Sequence, residues 1–244
     1  MLLRSHVIVR NVNSPTISKG TGLPDSVTTS DDWLLFLVNV VGLIWAAIDA
    51  YFDWGPWSAW ACVIITSLMY LAHVTWRGRD ILKNLLVFGI AAGLTELAAD
   101  WWLVKITKTL DYAKWGPFLI ESPAYMPMSW AGILLSMGFL GWAMSQKYGM
   151  VVGVSVAAVV SGIYVPTFEG LAHYAGWWTY DNCARLGVVP WYIIVGEALI
   201  GGAMPLLVSG VIAPTAGLIG WVARGVVAGL WIWVAYFIAL SITG

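Results

Sequence analysis

Apolar stretches of membrane-crossing length recur along this chain, at about 33–52, 58–76, 82–104, 125–146, 149–174, 190–212 and 216–240. A helix needs about 20 apolar residues to cross the hydrocarbon core of a bilayer, and a helix satisfies its own backbone hydrogen bonds there. Hydrophobic residues make up 60% of the 244 and charged residues only 10%, too few to cover the surface of a water-soluble domain of this size. The expected fold is therefore all-α: a polytopic helical bundle with about seven transmembrane helices over residues 32–244, preceded by a polar arm at 1–31. The arm has neither the apolar core nor the small-residue cleavage site of a secretory signal.

The net charge of −1 offers nothing to nucleic acid, and the two cysteines, Cys62 and Cys183, make no disulfide framework. Lysine and arginine near the span ends set the orientation. Arg4, Arg10, Lys19, Arg77, Arg79, Lys83, Lys147 and Arg224 lie on the N-terminal side, against Lys105, Lys108, Lys114 and Arg185 opposite. The N-terminus is expected to be cytoplasmic. Trp54, Trp57, Trp60, Trp101, Trp102, Trp115, Trp177, Trp178 and Trp191 gather near the other face, as an interfacial belt would. Arg224 is expected to snorkel to the cytoplasmic surface.

Ionisable residues inside spans are costly and are usually paired or functional. Here Asp49, Glu96, Asp100, Glu169 and His173 come late in odd-numbered spans, and Glu197 comes early in an even one. Span parity alone puts all six in the same half of the membrane. Glu96 and Asp100 are four residues apart, as are Glu169 and His173, so each pair shares a helix face. Small residues continue these faces (Gly89 and Gly93; Gly162 and Pro166), and Gly196, Gly201 and Gly202 surround Glu197; such residues let helices approach closely. Spans three, five and six are expected to face one another around an acidic pocket.

Four uses of that pocket compete. In the first, the carboxyl groups simply fix helix packing through Trp, Tyr, Ser or backbone partners. Alternatively, a carboxyl group shielded from water, or set beside another carboxylate, retains its proton and can act as an acid. Aromatic faces would steady the resulting cation without capturing it, a combination suited to protonating an isoprenoid double bond for cyclisation, hydration or isomerisation. Metal binding is a third use, but the Glu-x-x-His spacing of carboxylate-bridged sites is absent, as are HExxH, an aspartate-rich prenyl-diphosphate motif and a phosphate loop; no metal and no cofactor is expected. Transport or proton relay is a fourth, although a pore needs polar lining along its whole length.

Two long connections flank the pocket. Trp115 to Pro123 is too short to span and too apolar for a free loop, so it is expected to lie along the outer interface over the pocket, leading into Tyr125, Met126 and Trp130 as wall residues. Gly176-Trp177-Trp178-Thr179-Tyr180 closes span five, with Trp177 and Trp178 expected as interfacial anchors and Tyr180 reaching into the site. Trp101 and Trp177 complete the expected substrate-binding set.

The order of Glu96, Trp115-Gly116-Pro117, Pro127 to Trp130, Glu169, Gly176 to Tyr180 and Val189-Pro190-Trp191-Tyr192 resembles the integral-membrane carotenoid-modifying enzymes, chiefly the carotenoid hydratase type and more loosely the membrane lycopene cyclases. Leu97-Ala98-Ala99-Asp100-Trp101-Trp102 stands where that hydratase pattern has a glycine-rich stretch. The resemblance implies protonation of a polyene by acidic residues in helices. The reading is an enzyme acting on a lipid-phase small molecule, with Glu96 or Glu169 as proton donor and Asp100, His173 and Glu197 tuning it. The alternatives are an accessory subunit of a larger membrane assembly and a transporter or proton-relay protein.

Overall fold

Seven long apolar helices and a small β cap at one end make up the computed structural model, which describes residues 29–77, 80–209 and 217–244. The helices are α1 (Thr29–Phe52), α2 (Trp57–Arg77), α3 (Asp80–Trp101), α4 (Met126–Tyr148), α5 (Met150–Tyr174), α6 (Trp191–Val208) and α7 (Gly217–Thr243). All seven are long and apolar enough to cross a membrane. The polarity is inverted relative to a water-soluble fold: Val151, Ile219 and Phe237 are exposed, while Asp49, Glu96 and Glu197 are completely buried. Such an extensive apolar exterior fits contact with lipid. This is a multi-pass membrane protein.

The expected spans match these helices to within a few residues, with two informative differences. Span three continues past α3 through a π-helical turn at Trp102–Thr107, an irregularity often found beside functional residues. Span six ends at Val208, and residues 210–216 fall outside the described part. Of the expected polar arm, 29–31 already belong to α1, and 1–28 lie outside the described residues, as do Arg4, Arg10, Lys19 and Arg79 of the orientation argument.

Small residues set the bundle's spacing. Gly89 and Gly93 on α3 face the start of α4: a Cβ on Gly89 would meet the Ala131 carbonyl oxygen at 2.6 Å, and one on Gly93 would strike that of Pro127. On another side of α3, a Cβ on Gly229 of α7 would meet the Ala92 carbonyl oxygen at 2.6 Å. Helix α3 is thus clamped between α4 and α7 by backbone approaches that only glycine permits. Between α4 and α5 the chain reverses at the single residue Gly149, whose φ of 92° is strained for any other residue. Helices α5 and α6 pack along each other, and the α1–α2 hairpin rests on α5 and α4.

The two long connections do not act separately. Strand β1 (Leu110–Tyr112), after α3, pairs antiparallel with β4 (Trp178–Tyr180), after α5, with Leu110 opposite Tyr180 and Tyr112 opposite Trp178. Two further ribbons, β2 (Phe118–Leu119) with β3 (Ser122–Pro123) and β5 (Arg185–Leu186) with β6 (Val189–Pro190), complete the cap. Lys105 and Glu121 add an ion pair at 2.9 Å.

Three expectations are corrected here. Trp177 and Trp178 are not interfacial anchors: they are only 2% and 5% exposed, and their indole N–H groups donate to Asp49 Oδ2 at 2.5 Å and Glu169 Oε2 at 2.6 Å. Arg224 does not snorkel to the surface; it is 9% exposed, stacks on Trp221 at 4.8 Å, and donates to the Val208 carbonyl at the C-terminus of α6, where the helix dipole favours a cation. Trp101 points outward at 42% exposure and belongs to the belt with Trp54, Trp57, Trp115 and Trp191. Because Trp177 ties the end of α1 to the cap, Trp177→Phe is expected to cost about 1–3 kcal/mol, the cost of leaving a buried acceptor unsatisfied, read as a shift in the unfolding midpoint in detergent.

Candidate active site

The acidic groups come together through the cap. Asp100, on the last turn of α3, accepts hydrogen bonds on Oδ2 from the Tyr112 hydroxyl of β1 at 2.7 Å and from the Ser122 hydroxyl of β3. Glu169, near the end of α5, accepts on Oε2 from the Trp178 indole at 2.6 Å and the Tyr180 hydroxyl at 2.5 Å, both on β4. Tyr112 and Trp178 are cross-strand partners whose rings meet edge-on at 6.0 Å. One pair of residues in a two-stranded ribbon therefore fixes the position of one carboxyl group relative to the other, a pairwise lock of the kind that stabilises sheets generally.

Asp100 and Glu169 face a single cavity of about 40 Å³, walled by Trp130, Tyr112, Trp178, Tyr180 and Tyr236 among others. That volume holds about three water molecules. The rings of Trp130, Tyr236, Tyr192 and Tyr180 follow one another at centroid spacings of 6.4, 5.9 and 6.3 Å, each pair edge to face, so that Tyr192, outside the lining, braces the wall residues Tyr236 and Tyr180. Burial, reinforced by the facing carboxyl groups, holds the phenols of Tyr112 and Tyr180 well above the usual tyrosine range. Both therefore remain protonated donors at any physiological pH.

Glu96 and Glu197 lie behind this wall. Glu197 is wholly buried and accepts from the Tyr236 hydroxyl at 2.5 Å and the Ser161 hydroxyl at 3.3 Å. Glu96, one turn deeper than Asp100 on α3, is also wholly buried, and neither of its oxygens makes a hydrogen bond of normal geometry. Its electrostatic neighbours are Asp100, Glu197 and the indole of Trp130. No cation lies among these neighbours, and an unpaired ionised carboxylate is costly inside a bilayer.

Of the residues singled out from sequence, the structure brings Asp100, Glu169, Met126, Trp130 and Tyr180 to the cavity wall, with Glu96 and Glu197 just behind it. It does not bring His173, Trp101, Tyr125 or Trp177 there. His173 lies one helical turn beyond Glu169, its ring against Tyr174 and its buried Nδ1 without a partner; Tyr125 packs on Trp60 at 5.2 Å. Tyr112, Trp178 and Tyr236 carry more of the site than sequence reasoning assigned them. Tyr112 and Tyr236 have no signal beyond being polar-tipped aromatics near acidic spans. Among the described residues, no three of His, Cys, Asp and Glu converge closely enough to ligate an ion.

Comparison with curated proteins gives no match, and comparison with solved structures gives none either. A family described as a domain of unknown function, DUF6989, matches residues 97–243. That range contains every residue lining the acidic cavity, together with the cap and helices α4 to α7, whereas α1, α2 and Glu96 precede it. By this match over more than half its length, the chain belongs to the DUF6989 family.

Proposed function

We propose that the protein is an integral membrane enzyme that acts on an isoprenoid or similar lipid-phase substrate by carboxylic-acid protonation. The observation that carries this reading is the arrangement of Asp100 and Glu169, from different helices, on one aromatic-walled cavity, with Glu96 beside Asp100 on the same helix. In the proposed step Asp100, which lines the cavity where Glu96 does not, takes the donor's part that the sequence reading gave to Glu96 or Glu169: its O–H bond breaks and a C–H bond forms at one end of a substrate double bond, whose π electrons supply the pair. Glu96 passes its proton to Asp100 in the same movement, and the proton freed when the cation is discharged returns through Asp100 to Glu96, so that Glu96 is uncharged between turnovers. The carbocation is stabilised by the faces of Trp130, Tyr236 and Trp178. It is discharged by loss of a proton to the Glu169 carboxylate, giving a cyclised or isomerised product, or by capture of a water molecule, giving a hydrated one. General acids in such positions contribute about 10²–10⁴-fold to rate. The same chemistry is what the likeness to membrane carotenoid-modifying enzymes implies.

A second reading has its own support. Asp49, Asp100, Glu169 and Glu197 each accept a hydrogen bond from a Trp or Tyr side chain, the pattern of carboxyl groups that fasten helices together in a non-catalytic accessory subunit. Mass spectrometry of lipids from cells producing the wild type, Asp100→Asn or Glu169→Gln separates the two. The enzyme reading expects a wild-type isoprenoid product, isomeric with its precursor or heavier by one water, that is lost in both variants. Identical lipid profiles in all three, with stoichiometric co-purification of other membrane subunits, would establish the accessory role instead.

A further inference from the structure

A second cavity, of about 50 Å³, lies within the membrane-spanning part, between the α1–α2 hairpin and helices α4 and α5. Met128, one of the residues lining it, is 38% exposed on the outer surface of the bundle. Ser129 and Ile133 of α4 and Val165 and Phe168 of α5 line both this groove and the acidic cavity. A single layer of side chains thus separates a lipid-facing opening from Asp100 and Glu169.

The groove's polar groups are largely engaged with one another. The Asn39 amide donates to the Leu35 carbonyl at 2.7 Å and to Ser136 at 3.0 Å, Tyr70 and Ser136 are bonded at 2.8 Å, and the Thr66 hydroxyl donates to the Cys62 carbonyl at 2.8 Å. What remains for a ligand is chiefly apolar. No charged residue lines the groove, and neither lining contains Lys or Arg.

We infer that this groove admits the chain of a neutral isoprenoid, an alcohol or hydrocarbon and not a diphosphate, and delivers its double bond past Ile133 and Phe168 to Asp100. The inference rests on the protonation reading above and names its substrate class. Only molecules dissolved in the bilayer reach an opening at this depth. A diphosphate or a fatty-acid carboxylate would meet no cation, and burying an unpaired charge there is prohibitive. The trisubstituted double bonds of isoprenoids give tertiary cations on protonation, whereas the disubstituted bonds of acyl chains give secondary ones, so the acid and its aromatic wall favour the former. The two cavities accommodate only a short length of chain, and the rest remains in lipid through the open side. An enzyme that removes or transfers the diphosphate must therefore act before this one.

The test is photolabelling of the full-length protein in nanodiscs with geranylgeraniol carrying a diazirine, followed by peptide mapping. Adducts are expected on the α4 segment holding Met128 and Ile133 and on the α5 segment holding Phe168. Unlabelled geranylgeraniol should suppress them, while geranylgeranyl diphosphate and oleic acid should not. A Cβ at Gly42 would meet nothing nearer than Thr66 Cγ2 at 3.9 Å, so Gly42→Phe should fold, project its ring into the groove, and cut labelling by about tenfold or more, the penalty of overfilling an apolar site. If Gly42→Phe is not recovered folded, Ser67→Phe on the groove's α2 wall serves instead. Adducts scattered over the lipid-facing surface, labelling unchanged by the blocking residue, or equal competition by the diphosphate would each overturn the inference. Labelling needs no turnover, so Asp100→Asn should still label. A groove that labels while Asp100→Asn leaves cellular lipids unaltered would sink the protonation reading alone, and loss of product without groove labelling would sink only the access route.

Discussion

Glu96→Gln is expected to lower product formation by about 10²–10⁴-fold, the range a positioned general acid contributes, while the protein stays folded. The contrast between the two effects is the point of the experiment. Glutamine keeps the volume of glutamate but carries no transferable proton. Burying a polar group without a partner costs about 1–3 kcal/mol, yet the Glu96 carboxyl already lacks partners of normal geometry, so the exchange adds little to a cost the fold already carries. Product is measured by mass spectrometry of lipid extracts and folding by the melting temperature in detergent. A variant that melts normally and retains full turnover would remove Glu96 from the mechanism.

Gly93→Val is expected to have the largest effect on stability, above about 3 kcal/mol, at or beyond the upper end for overpacking. The added Cβ would strike the backbone carbonyl of Pro127, which cannot rotate aside as a side chain would. Relief requires α3 and α4 to separate, and Asp100 and Trp130 would move with them. Gly42→Ala is the matched control: its nearest neighbour would be 3.9 Å away, so its effect should fall within about 0.5 kcal/mol. Unfolding midpoints in detergent compare the two, and similar midpoints would mean the close approach of α3 and α4 is wrong.

The spans and the leaflet holding the carboxyl groups were legible in the sequence because each follows from one-dimensional information, hydropathy for the first and parity for the second. Spacing also carried Glu96 and Asp100 to the same region. It failed for His173: Glu169 and His173 do share a helix face, but β4 folds back so that Trp178 and Tyr180 close over Glu169 and leave the next turn outside the cavity. The β cap was not legible at all. Its strands are two or three residues long, the pair that joins the two connections spans about seventy positions, as with Leu110 and Tyr180, and segments so short carry no periodicity. Trp177 and Trp178 were misassigned for a related reason. Tryptophan near a span end usually sits among headgroups, and only the fold reveals that a buried carboxylate awaits each indole. Arg224 was misplaced because the C-terminal carbonyls of α6, which it meets, belong to another helix.

The direction in which the carboxyl groups find their donors has a consequence for biosynthesis. Asp49 is met by Trp177, Asp100 by Tyr112 and Ser122, Glu169 by Trp178 and Tyr180, and Glu197 by Tyr236; in each of these pairings the donor is synthesised after the acid, and only the longer 3.3 Å bond from Ser161 to Glu197 runs the other way. A ribosome building this chain therefore inserts every acidic helix before these side-chain donors exist. Glu197 is the last of them to be completed, because Tyr236 arrives only with the final helix. A chain released before α7 would leave that carboxylic acid in the bilayer without its shortest hydrogen bond, a defect that membrane quality control is equipped to detect.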